Sequence, residues 1–184
     1  DFIQFLERAY VAPNIVVGVA GKIDPQTVKK EIEKIFQHVR VGKKPAAKKA
    51  SDKQMKPQIY LQNKKVDQTQ LVVGVRAFDV FHKDKAVLSV LSTILGGGMS
   101  SRMFIEVRER RGLAYSIRTS TDLFLDAGYL ATQAGVEHSN LEKALGVILD
   151  EYKKIAQELV GKDELKKAKE SIKGRLALGL EGSD

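Results

Sequence analysis

Two residues of this chain pair a reactive side-chain type with a usable spacing. Arg108 stands seven positions before Tyr115, with Gly112 between them. An arginine offers a fixed fork of N–H donors suited to carbonyl and carboxylate oxygens. A phenol hydroxyl donates to a carbonyl, or to the oxyanion that forms when a nucleophile attacks it. Just upstream, Gly96-Gly97-Gly98-Met99-Ser100-Ser101-Arg102 places three glycines between two helix-patterned segments. Such a run is costly in backbone entropy and marks a sharp bend or a close approach. By residue type alone, the plainer reading is a solvated arginine and a strand tyrosine with its ring in the core.

The histidines do not assemble a metal site. Only His38, His82 and His138 exist, and no two lie within forty residues of each other. A helical zinc pair needs two imidazoles four residues apart on one face. Ala134-Gly135-Val136-Glu137-His138 carries Ala where a first His would stand, and it falls at a strand end. Cys is absent, which excludes disulfides, thiolate ligands and cysteine nucleophiles. The glycine run is not a phosphate cradle either. A P-loop carries Lys-Ser/Thr directly after its last glycine, whereas Met99 follows here and a helix precedes. Its expected role is a helix–turn–helix that presents Ser100 and Ser101 as a cap, with Arg102 organising the same turn.

The elements that hold these residues are read from periodicity. Residues 2–11 have helical spacing and end at Pro13-Asn14. The apolar run 15–20 predicts a strand buried on both faces. Asp24 is an N-cap with Pro25 at the first helical position of a helix carrying Val28, Ile32, Ile35 and Phe36. Residues 59–61 and 70–78 read as strands, and 84–95 as a helix ending at the glycines. A helix with Met103, Phe104 and Val107 on its buried side stops at Gly112. Strands 113–121 and 127–136 follow, joined by a turn near 122–126. Helices over about 140–159 and 163–180 complete the chain. Strand pairs alternating with helix pairs predict an α+β fold, a largely antiparallel sheet with helices packed on one face.

With 184 residues, 43% hydrophobic and 29% charged, the chain reads as globular and soluble. No apolar run approaches a membrane span. The start lacks a signal-peptide pattern and an initiating Met, as in a processed or cut chain. The net charge of +8 is concentrated: residues 40–57 supply +6 of it, in a Pro/Ala/Lys tract. Like charges and few apolar residues make that tract a solvated linker. No aromatic residue interleaves it, which argues against a nucleic-acid partner.

Four stretches carry a resemblance to a family: YVAPNIVVGVAGKID from Tyr10 to Asp24, LGGGMSSR from Leu95 to Arg102, VRERRGLAYSI from Val107 to Ile117, and Ala127-Gly128. In register over nearly the whole chain, they resemble the zinc peptidases of the pitrilysin/insulinase type, to which the mitochondrial processing peptidases are similar. The resemblance implies two homologous α+β halves, the first with an inverted H-x-x-E-H zinc motif. This sequence then matches the closing segment of a first half (1–40), a basic linker (41–57) and the opening portion of a zinc-free second half (58–184), as one compact unit. It implies that Arg108 and Tyr115 contact substrate and transition state once the zinc half is docked, and that Gly97, Gly98, Ser100, Ser101 and Arg102 bind substrate. Cofactors would be none in this chain and zinc in the complete enzyme. Partners would be the zinc-bearing half or subunit and a peptide substrate. The chain alone should be inactive. The competing expectation is a non-catalytic interaction subunit that pairs with a zinc-bearing one. Strand 15–20 is expected to lie beside strands of 58–136, within one chain or exchanged in a homodimer. The compartment is left open between periplasm and cytoplasm.

Overall fold

The computed structural model describes residues 1–51 and 53–182. The elements run α1 (Phe2–Ala9), α2 (Pro25–Phe36), β1 (Thr69–Ala77), α3 (Lys85–Gly96), a π-helix (Phe104–Glu109), β2 (Ala114–Leu123), β3 (Gly128–Val136), α4 (Leu141–Gln157) and α5 (Lys162–Gly179). Short 3₁₀ turns cover Ala12–Asn14 and His138–Asn140. The chain divides into two compact units: residues 1–49 with those from Leu178 onward, and residues 50–177.

In the first unit, Asp24 caps α2 as its sequence predicts, accepting from the Thr27 backbone N–H at 2.9 Å, with Pro25 beginning the helix. Val11 is its buried apolar residue, and Ala12 N–H donates to the Arg40 carbonyl at 2.9 Å. The expected strand at 15–20 does not form. These residues run without a ladder partner, and Val16 is 95% exposed. An apolar run supplies the faces of a strand, but a strand also needs a neighbour for its N–H and C=O groups. The described sheet offers it none.

The second unit is an α+β layer. Its three-stranded antiparallel sheet has the order β1-β3-β2. The register sets Ala134 between Leu71 and Ile117, and Thr132 between Val73 and Thr119. Side chains alternate across a strand, so Leu130, Thr132, Ala134 and Val136 share one face. That face packs on Leu88 and Leu95 of α3, Val107 of the π-helix, and Ala144 and Ile148 of α4. Leu95, Met103, Val107, Val136 and Ile148 are fully buried there. Burying each such side chain stabilises the fold by about 1.5–3 kcal/mol. The opposite face carries Gln70, Arg118, Ser120 and Gln133, all polar. Residues 59–61, expected as a strand, are more than four-fifths exposed and pair with nothing in this sheet.

Candidate functional site

The glycine run ends α3. Gly96 is buried against β2, where an added Cβ would lie 2.3 Å from the Thr119 backbone N. Only a residue without a side chain lets the helix approach that closely. Beneath this contact a polar chain crosses the core. Thr119 Oγ1 lies 2.7 Å from Thr132 Oγ1, which lies 3.0 Å from the Tyr152 hydroxyl. Burial pushes the Tyr152 phenol above its usual value. Ser92 Oγ donates to the Thr119 carbonyl, tying α3 to the same strand.

The serines close the turn. Ser101 is buried, and its N–H and hydroxyl both reach back to the Gly98 carbonyl. It does not act as the forward-facing cap that its place before a helix suggests. Arg102 donates through two N–H groups to the Glu164 carboxylate of α5, each at 2.7 Å. That partner holds the Glu164 carboxyl below its usual value. From α5 again, Arg175 donates to the Gly97 carbonyl at 3.1 Å and the Thr93 hydroxyl at 3.2 Å.

After Arg102 and Met103 the backbone widens into a π-turn, with Arg110 N–H bonding the Ile105 carbonyl five residues back. Such turns recur at functional sites. Arg108 leaves this turn exposed, its guanidinium carbon 4.9 Å from the Phe104 ring centroid. Arg110 and Arg111 turn back to Glu106, whose carboxyl is held low chiefly by Arg111. Tyr115 sits at a register shift: Ala114 pairs with Val136 and Ser116 with Gly135, leaving Tyr115 as the extra residue of a β-bulge. Its side chain is 63% exposed.

Two clefts flank the glycine run. The larger, about 460 Å³, lies between α3, β2 and Arg175, with Gly97, Gly98, Phe104 and Arg118 in its lining. The smaller, about 350 Å³, lies toward α5 and includes Gly97, Gly98, Ser100 and Ser101. The candidate residues are thus brought together unevenly. Gly97 and Gly98 belong to both clefts, Ser100 and Ser101 to the smaller. Arg108, Arg102 and Tyr115 line neither, although Phe104, on which Arg108 stacks, lines the larger. Residue reasoning missed Phe104 as a platform, Glu106 as a clamp and Arg175 as a tie. Only the Glu106–Arg110 spacing of four carried a visible signal.

Among the described residues no group of three or more His, Cys, Asp or Glu could hold a metal ion. His138 is engaged at both ring nitrogens, with Thr69 Oγ1 at 2.6 Å and the Val66 carbonyl at 3.0 Å. The described residues therefore do not fit a zinc centre.

The family model described as the peptidase M16 inactive domain matches residues 1–172. The chain belongs to this family. A zinc protease of Mycobacterium tuberculosis, described as uncharacterized, is 35% identical over 183 residues, covering 98% of this chain and 42% of the relative. One from Streptomyces coelicolor is 32% identical over 184 residues, covering 97% and 40%. The chain thus spans about two fifths of these relatives. The fold matches a crystal structure of a peptidase M16 inactive domain from Pseudomonas fluorescens, with TM-score 0.73 and 23% identity over 94% of this chain and 42% of that one. It also matches a chain of Complex III2 from Candida albicans, with TM-score 0.72 and 18% identity over 98% of this chain and 45% of that one. The M16 inactive domain is the zinc-free domain of the pitrilysin-type metallopeptidases, as the motif resemblance implies. No helix among the described residues is long and apolar enough to cross a membrane.

Proposed function

We infer that this chain supplies the substrate-binding, zinc-free part of a zinc metalloendopeptidase that hydrolyses peptides or small proteins. The observation that carries this reading is the bulge at Tyr115, which leaves its ring exposed beside a π-turn whose Arg108 stands exposed over the Phe104 ring. Bulges and π-turns re-aim side chains, and the family resemblance implies substrate contact by these two residues. In this reading Arg108 binds peptide carbonyl oxygens through its donor fork. Tyr115 donates its hydroxyl to the scissile carbonyl and to the oxyanion that develops there. The zinc belongs to the partner half, where it would supply an activated water. Residues 1–40 are then the closing segment of that preceding half, 41–57 the basic linker, and 58–184 the opening portion of the substrate-binding half.

A second reading is a non-catalytic subunit that pairs with a zinc-bearing one. It is favoured by the exposed apolar residues of α1 and of the extended run, among them Phe2, Ile3, Val16 and Val19. Mixing the chain with a zinc-bearing half of the family separates the two. Chelator-sensitive peptide cleavage that depends on Tyr115 supports the substrate-binding part. Stable pairing with cleavage indifferent to Arg108 and Tyr115 supports the subunit.

A further inference from the structure

The arginines around the glycine run sort by whether a carboxylate answers them. Arg102 is bound by Glu164, and Arg110 and Arg111 share Glu106. Three others have no such partner among the described residues, and two of them, Arg118 and Arg175, line the larger cleft. Arg108 lies over Phe104, a wall of that cleft. Arg175 lines it, donating to a carbonyl through Nη1 and to a hydroxyl through Nη2. Arg118 also lines it, from the edge strand β2, and makes no hydrogen bond or ion pair among the described residues. No Asp or Glu contributes to the lining, while Ser89 and Thr121 add hydroxyls and the Thr93 hydroxyl is already donated to the Ser89 carbonyl. A concave site with guanidinium groups, hydroxyl donors and no acid of its own is complementary to an anion.

We propose that this cleft binds a carboxylate carried by an extended peptide, with Arg118 as the residue that selects for it. The proposal rests on the peptide-binding reading above and adds a substrate preference to it. Arg118 projects from β2 two ladder positions beyond Ser116, the residue that follows the Tyr115 bulge, so a peptide contacting Tyr115 has its neighbouring residues within the reach of this strand. Arg175 fixes the glycine wall of the cleft. The bidentate geometry of a guanidinium suits a carboxylate better than an amide, and a charge-assisted bond is roughly twice as strong as a neutral one.

The test measures binding of short fluorescein-labelled peptides to the 184-residue chain by anisotropy. The peptides consist of Ala, Ser and Leu with a central Glu, Gln or Lys as C-terminal amides, plus the Gln peptide with a free C-terminal carboxylate. The Glu peptide should bind at least about tenfold more tightly than the Gln peptide at low salt, and the ratio should shrink at about 0.5 M salt. Arg118→Gln should bring the ratio close to one. Lys173→Gln removes the same charge from an exposed pair with Glu170 and should leave the ratio intact. If the free carboxylate of the Gln peptide carries the preference, the ligand is a peptide C-terminus; if the internal Glu carries it, the ligand is a side chain. Equal affinities across all four peptides overturn the proposal and leave the peptide cleft standing. Binding of none, with the zinc-bearing half absent and with it added, overturns both. Circular dichroism of Arg118→Gln shows that any lost preference is not lost folding.

Discussion

Tyr115 owes its position to one inserted residue. Without the shift between Ala114 and Ser116, position 115 would alternate with its neighbours; with it, the ring stands 63% exposed. If its hydroxyl serves an oxyanion, Tyr115→Phe in the complete enzyme should lower turnover roughly 10- to 1000-fold, as when such a donor is removed. KM should change little and circular dichroism not at all, and wild-type turnover would show the hydroxyl to be idle. Arg102 and Glu164 make a different kind of prediction. Hydrogen bonds from Arg102 depress the Glu164 carboxyl, so the folded pKa lies below the unfolded value near about 4.3. Stability from the pair is then present above the unfolded value and is lost as pH falls through the folded one. Thermal unfolding of wild type and Glu164→Gln from about pH 7 to pH 3 should show a gap that closes in the acid range. A gap of constant size would assign the effect to packing alone.

At the scale of elements, the glycine run is a packing device before it is anything else. An added Cβ at Gly96 meets Thr119 backbone at 2.3 Å, a contact that no rotamer relieves. Gly96→Ala should therefore destabilise the chain by about 1–3 kcal/mol, the range for overpacking a filled core. Gly98 has open space around it, and Gly98→Ala should cost less in a denaturant titration. The elements legible in the sequence are those whose cause is local. Asp24 and Pro25 start α2, apolar periodicity marks α3, Asp163 and Glu164 mark the first turn of α5, and alternation marks β3. What was not legible depends on distant neighbours. Residues 15–20 and 59–61 have the composition of strands, yet a strand is a relation between segments, and no partner stands beside them. The π-turn inserts a residue that apolar spacing does not record. Ser101 looked like a cap because its type fits one, but the nearer Gly98 carbonyl takes its hydroxyl. Arg175 reaches the glycine run from 78 residues away, with no motif to announce it. The Arg–Tyr spacing was visible throughout; the bulge and the Phe104 platform that give it geometry were not.

At the scale of the whole molecule, the two units differ in how well each buries its own apolar residues. Residues 50–177 wrap a continuous core around one sheet face. In residues 1–49, neither α1 nor α2 has a buried residue, and the run 15–20 leaves its backbone unladdered. If this segment closes a preceding zinc-bearing half, its missing neighbours are supplied by that half. The chain alone should then hold no catalytic zinc and cleave no peptide; one tightly bound zinc per chain with chelator-sensitive cleavage would contradict this. Hydrogen exchange gives a test that does not depend on catalysis. Backbone amides outside a ladder open at little free-energy cost, whereas those in a central strand exchange only through large openings. In the isolated chain the amides of 15–20 should exchange as fast as those of 59–61, while those of β3 are protected. Adding the zinc-bearing half should slow 15–20 by orders of magnitude and leave 59–61 fast. If 15–20 stays fast in an assembly that cleaves peptide, the segment joins no sheet and the assignment of 1–40 to the preceding half fails. If it is already slow in the isolated chain and the chain sediments as a dimer, the missing neighbours come from a second copy.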